Sequence, residues 1–242
     1  WGELMMPSTS ATPVLSPITM GLLRDSGWYR PDFQLAGDLA WGARKGCGFL
    51  SDDCVRDGAS AYPDTFCTEN SGKCPAGSSW DDLAWGCSVD LQSKAYCTLC
   101  RHDNDVPEHF RYFPSDPRLG GSRPNLDYCP YWHERIDCGE VSRRGENGAE
   151  EIFGPTSVCL MSDAILDGFS PPVRERPSCR QIVCDANLPG TALWVRFGTA
   201  WARCEEADFG MRKEVNASGW SGSVVCPSVA RLCGGGRSGA GG

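Results

Sequence analysis

Apolar positions recur at helical spacing in one short stretch of this chain and alternate at strand spacing in others. Ser16-Pro17 supplies an N-cap and a first-turn proline, Ile18, Leu22 and Leu23 follow at helical intervals, and Gly27 ends the run. That pattern predicts a short amphipathic helix over about residues 17–26. Near the other end, Leu193, Val195 and Phe197 alternate with Ala192, Trp194 and Arg196, so Thr191 to Phe197 reads as a half-buried strand. Ser221 to Cys226 reads the same way. Between the helix and the first cysteine, the stretches from Trp28 to Phe33 and from Leu39 to Gly42 read as extended connections anchored by their aromatic rings. Residues 142–150 are polar and turn-rich, as expected of a surface loop. No internal repeat of fixed period is visible, and Gly234 to Gly242 reads as a flexible tail.

Composition narrows this picture. With 242 residues the chain is long enough for one or two domains and a real core. Its 29 glycines and 17 prolines favour turns and short strands over a helix bundle. Nine tryptophans and 40% hydrophobic residues argue against a disordered chain. A net charge of -8 provides no basic field for phosphates, which excludes nucleic acid as a partner. No run of 18 apolar residues occurs, so no segment has the makings of a transmembrane helix.

Cysteine usage changes the picture most. The first 46 residues contain none, and all 15 lie at Cys47, Cys54, Cys67, Cys74, Cys87, Cys97, Cys100, Cys129, Cys138, Cys159, Cys179, Cys184, Cys204, Cys226 and Cys233. All are disulfide candidates, since so many cysteines suit an exported, oxidised chain and not a reducing cytosol. The expected location is extracellular or at the cell surface. The odd number requires that at least one be free or joined to something outside the chain. The jump in cysteine density puts a boundary near residue 50. Because the chain opens at Trp1 without an initiator Met or signal peptide, it reads as a piece of a longer exported protein.

Few motifs carry chemistry. There is no Gly-x-Ser-x-Gly elbow, phosphate loop or dinucleotide fingerprint. The three histidines, His102, His109 and His133, include no pair one helical turn apart with an intervening Glu, which is the arrangement that puts two imidazoles on one zinc. His133-Glu134-Arg135-Ile136-Asp137 imitates it with Asp in the last place, but in a stretch that reads as turn-rich. Cys97-Thr98-Leu99-Cys100, with His102 close by, has a metal-binding spacing, although ordinary disulfides are the better reading in an exported chain. Trp residues are mainly core material, with Trp80 and Trp85, beside Asp81 and Asp82, expected to be partly exposed. Asn216-Ala217-Ser218 is a glycosylation sequon.

The order of features is nevertheless specific. Glu3-Leu4-Met5-Met6-Pro7, the run from Ile18 to Tyr29, and Trp41-Gly42-Ala43-Arg44-Lys45-Gly46-Cys47-Gly48-Phe49-Leu50 together resemble the leishmanolysin family of metzincin zinc metalloproteases, peptidase M8. The resemblance continues through Asp127-Tyr128-Cys129-Pro130, Cys179 to Cys184, and Val225-Cys226-Pro227 to Cys233, and so spans nearly the whole chain. It implies an α+β fold in which residues 1–50 are the end of a metzincin catalytic domain, comprising the Met-turn and one helix. Residues 51–233 would be a cysteine-rich, mostly β or irregular C-terminal domain, followed by the tail 234–242. Met5 would be the Met-turn methionine, an apolar floor under the zinc-binding histidines. Ser8, Thr9 and Pro13 would border a substrate pocket.

The family's His-Glu-x-x-His helix and third histidine precede the Met-turn, whereas nothing precedes Trp1 here. The resemblance therefore implies a longer parent that holds one catalytic Zn ion and cuts peptide bonds in proteins, and a chain that is inactive alone because it lacks the zinc ligands and the general-base Glu. The tail holds no apolar anchor signal, so any membrane attachment would depend on sequence not present here. The competing reading is a non-catalytic extracellular adhesion or ligand-binding module that keeps the cysteine framework.

Overall fold

The computed structural model describes residues 3–5, 13–69, 71–74, 83–143, 151–166, 176–187, 190–215 and 219–233. The fold is α+β and disulfide-rich, with short helices and many antiparallel strands. It divides into two compact units, one comprising Trp1–Asp90 and Ala95–Asp137, the other Leu91–Lys94 and Cys138–Gly242.

In the first unit, α1 (Pro17–Asp25) forms where the sequence predicts a helix. The Ser16 side chain accepts a hydrogen bond from the Ile18 amide, and Gly27 leaves the helix with φ of 75°, a left-handed conformation that glycine adopts without steric cost. The buried face is not the predicted one. Met20 is 4% exposed, while Ile18 and Leu22 are 74% and 72% exposed. Met20 lies about 200° around the helix from Ile18, so these two apolar positions face away from the side that packs. Trp28, expected to anchor the following connection, is 86% exposed, whereas Trp41 does anchor its own, meeting Phe49 and Phe66 edge to face.

The rest of this unit comprises α2 (Gly48–Ser51) and five short strands: β1 (Trp85–Cys87), β2 (Ser93–Cys97), β3 (Leu99–Arg101), β4 (Leu119–Gly121) and β5 (Trp132–Asp137). They form a three-stranded sheet in the order β1-β2-β5 and an antiparallel β3-β4 pair. The core is small and largely aromatic or sulfur-containing: Cys54, Val55, Phe66, Cys67, Cys97, Leu99, Phe113 and Tyr131. Disulfides Cys54–Cys129, Cys67–Cys97 and Cys74–Cys100 tie its loops together.

The second unit is built on a six-stranded antiparallel sheet. Its strands are β6 (Ser157–Ser162), β8 (Arg176–Cys184), β9 (Ala192–Phe197), β10 (Ala200–Glu205), β11 (Arg212–Glu214) and β13 (Ser223–Val225), in the order β10-β9-β8-β6-β13-β11, while β7 (Ile165–Leu166) and β12 (Trp220–Ser221) form a second small sheet. β9 matches its predicted pattern, burying Leu193, Val195 and Phe197 and leaving Trp194 and Arg196 partly exposed. The strand predicted over Ser221 to Cys226 splits at Gly222, whose φ is 117° and whose missing Cβ would sit 2.8 Å from the Ala164 backbone. Only glycine fits that close approach.

The sheet's inner face packs Val158, Leu160, Ile182, Leu193, Val195, Phe197, Val224, Val229 and Leu232 into one aliphatic core, the last two from α3 (Val229–Cys233). Buried Arg180 packs against both Phe197 and Trp220, its guanidinium carbon 4.6 and 5.0 Å from the ring centroids, and the two rings meet edge to face. Disulfides Cys138–Cys179, Cys184–Cys233 and Cys204–Cys226 complete the unit. Cys87 and Cys159 are also oxidised, which leaves Cys47 as the odd cysteine. Within residues 1–242 every other cysteine is already bonded, and the exposed Cys47 thiol is free in this chain.

Candidate functional site

The segment that resembles a Met-turn is tied to the start of α1. Glu3 forms a parallel bridge with Val14, and the Leu4 amide donates to the Val14 carbonyl at 2.8 Å. The Glu3 carboxylate accepts from the Thr19 hydroxyl at 2.9 Å and from the Ser16 amide at 3.4 Å. Burial pushes its pKa up, but these hydrogen bonds outweigh burial and hold the carboxyl below its usual range. Glu3 therefore fixes the chain just before Met5 to the helix cap, a role the sequence alone did not reveal. Met5 follows in a turn and is 73% exposed. With Leu4, Ile18 and Leu22 it adds to the exposed apolar surface of this region. Pro13 is exposed as well, while Ser8 and Thr9 lie outside the described residues.

The three histidines do not converge. His133 lies in β5 and not in the turn-rich stretch that the sequence suggested. Along a strand, positions four apart are separated by about 13 Å, so His133 and Asp137 cannot grip one ion as they could on a helix. The His133 Nδ1 sits 3.2 Å from the Tyr131 hydroxyl, and the Tyr96 ring packs edge-on at 5.2 Å. Burial, reinforced by Arg123 and Arg135, lowers the imidazole pKa to about 4, and burial pushes the Tyr131 phenol up to about 12. Both groups are neutral near pH 7, which is the state a buried polar pair favours. His109 packs on Phe110, with ring centroids 4.0 Å apart. The residues described here thus do not fit a catalytic zinc held by three histidines.

Among the described residues, one cluster has ligand atoms within metal-binding range of one another, at 4.8 Å or less: Cys74, Cys100 and His102. By spacing, the candidate metal grip is Cys97 with Cys100, and the disulfide pairing is open. Instead, Cys97 bonds to Cys67, and Cys100 bonds to Cys74, 26 residues away. Nothing in the spacing signals Cys74, because its approach to His102 depends on residues 71–74 lying alongside β3. With both sulfurs in a disulfide, the cluster offers no thiolate.

Trp85 is partly buried and meets Tyr96 edge-on, with centroids 6.3 Å apart. Trp80, Asp81, Asp82, the sequon at Asn216, residues 144–150 of the polar loop and the tail from Gly234 lie outside the described residues. No helix among the described residues is long and apolar enough to cross a membrane.

Comparison with known proteins gives the family context. The family model for leishmanolysin, peptidase M8, matches residues 2–239. Leishmanolysin from Leishmania donovani is 29% identical over 246 aligned positions, covering 96% of this chain and 38% of that protein. A leishmanolysin-like peptidase from Drosophila pseudoobscura pseudoobscura is also 29% identical, over 269 positions, covering 96% of this chain and 37% of its own length. One from Caenorhabditis elegans is 27% identical, over 274 positions covering 96% of this chain and 39% of its length. The chain thus spans less than two-fifths of each of these relatives.

Proposed function

The chain belongs to the leishmanolysin family, peptidase M8, and on that premise we propose that it is the C-terminal portion of a zinc metalloendopeptidase that hydrolyses peptide bonds in proteins. In this reading residues 1–50 complete the catalytic domain and residues 51–233 are the cysteine-rich C-terminal domain. The observation that carries the reading is that four large apolar side chains of this segment, Leu4, Met5, Ile18 and Leu22, are exposed. A chain that ended its packing here would leave these side chains in water, whereas residues of a longer protein would cover them.

Met5 is the Met-turn residue in this proposal, and Glu3 holds its backbone through Ser16 and Thr19. Ser8, Thr9 and Pro13 border the substrate pocket. The zinc ligands and the general-base Glu belong to sequence outside residues 1–242, since His102, His109 and His133 do not fit that role. When bound in the longer protein, the metal would activate water for attack on the peptide carbonyl. Substrates are proteins or peptides, and the oxidised cysteines support an extracellular or cell-surface location.

The test compares this chain with the longer protein. The longer protein should cleave an unfolded protein substrate, lose that activity to a chelator and regain it with Zn, while residues 1–242 alone show none. Activity in the isolated chain, or a longer protein that cleaves equally well after metal removal, would overturn the reading.

A further inference from the structure

Cys74, Cys100 and His102 form a cluster that the proposed catalytic chemistry does not use. Its backbone is held independently of the disulfide. The Arg101 amide donates to the Gly72 carbonyl at 2.8 Å, and the Cys74 amide donates to the Arg101 carbonyl at 3.0 Å, so residues 71–74 flank β3 on one side. On the other side β4 pairs with β3, and the His102 amide donates to the Arg118 carbonyl at 2.8 Å. Breaking the S–S bond would leave these hydrogen bonds in place.

The imidazole is also oriented. His102 Nε2 lies 3.1 Å from the Gly121 carbonyl oxygen, which can only accept, so Nε2 carries the hydrogen and the lone pair is on Nδ1. The Tyr128 ring packs against the imidazole edge-on at 5.4 Å. A backbone carbonyl that fixes the tautomer is the usual support of a metal-ligating histidine. Cys100 is fully buried, while Cys74 and His102 are partly exposed, which gives an ion and a reductant one open side.

We propose that the Cys74–Cys100 disulfide masks a zinc site, which reduction opens. A dithiol reductant transfers two electrons and two protons: the S–S bond breaks, the reductant becomes a disulfide, and Cys74 and Cys100 become thiols. Zn²⁺ then displaces both thiol protons and is held by two thiolates and His102 Nδ1, with water completing a tetrahedral set. The link between residue 74 and β3 is thereby kept in either redox state, by sulfur when oxidised and by metal when reduced.

The experiment uses the full 242-residue chain with Cys47→Ser, so that the free thiol cannot bind metal. A trialkylphosphine with water is titrated in, released thiols are mapped by alkylation and mass spectrometry, and Co²⁺ is added as a spectroscopic probe for zinc. Once Cys74 and Cys100 are freed, one equivalent of Co²⁺ should bind with thiolate-to-cobalt charge-transfer absorption. His102→Gln, which keeps the disulfide and the fold, should weaken that binding at least about tenfold. Cys184→Ser/Cys233→Ser, which removes the more exposed pair, should not change it. Freed Cys74 and Cys100 without stoichiometric Co²⁺, or unchanged binding in His102→Gln, would overturn the proposal and leave the family reading untouched.

Discussion

In the second unit a continuous sheet lines one apolar core, with Val195 in register with Ile182 and Ala202, Leu193 with Cys204, and Phe197 with Ala200. The first unit has no such sheet. Its strands are short, its core contains Cys54, Cys67 and Cys97 among a few apolar side chains, and its ring contacts run through Trp41, Phe49 and Phe66. Three disulfides with described pairings lie in each unit, yet they do different work. In the second they reinforce a fold that a long strand ladder already defines, whereas in the first they join segments that share only short runs of backbone hydrogen bonds.

The largest expected effect tests that difference directly. Native disulfides in such domains contribute about 2–5 kcal/mol each, so full reduction should abolish hydrogen-exchange protection in residues 13–69 while β6, β8, β9 and β10 keep part of theirs. Simultaneous loss in both units would break the comparison. Next in size, Phe197→Ala should cost about 3–5 kcal/mol in denaturant unfolding, because it removes a fully buried ring from the second unit's core.

A smaller contrast lies within α1. Met20→Ala should cost at least about 2 kcal/mol, but Leu22→Ser should stay within about 0.5, since the first side chain is buried and the second faces water. A thermal-melt difference of the opposite sign would show that the helix packs by its other face.

A further contrast is the pH dependence of the first unit. Because folding holds the His133 imidazole at about 4 against an ordinary 6.5, the unfolded chain takes up the proton first. This group's contribution is therefore complete above about pH 6.5, is lost as the pH falls towards 4, and changes little below that. His133→Gln should show a smaller drop in unfolding midpoint between pH 7 and pH 4.5 than the parent chain. An equal drop would assign the dependence to carboxylates alone.

These contrasts also show what the amino-acid sequence made legible. The bounds of α1 follow from Ser16, Pro17 and Gly27 because caps are local chemistry, and β9 follows from alternation because one face of its sheet is buried. The buried side of α1 was not legible: Ile18 and Leu22 satisfy the helical pattern, yet the partner that would reward it is not among the described residues. β5 was missed because the nearby prolines and cysteines looked like turn chemistry, whereas pairing with β2 supplies its order. Cysteine count and oxidation were readable, but pairing was not. Cys74 meets Cys100, not the nearer Cys97, only because residues 71–74 run beside β3.

The single free thiol at Cys47 has a practical side. Because the other fourteen cysteines are bonded and Cys47 is exposed, a thiol-reactive dye should add once per oxidised chain. A reading of one then reports complete oxidation after refolding, and each further two equivalents report one opened bridge. The same residue accepts a fluorophore or spin label at a defined place without engineering, making the odd cysteine both a purity gauge and a built-in attachment point.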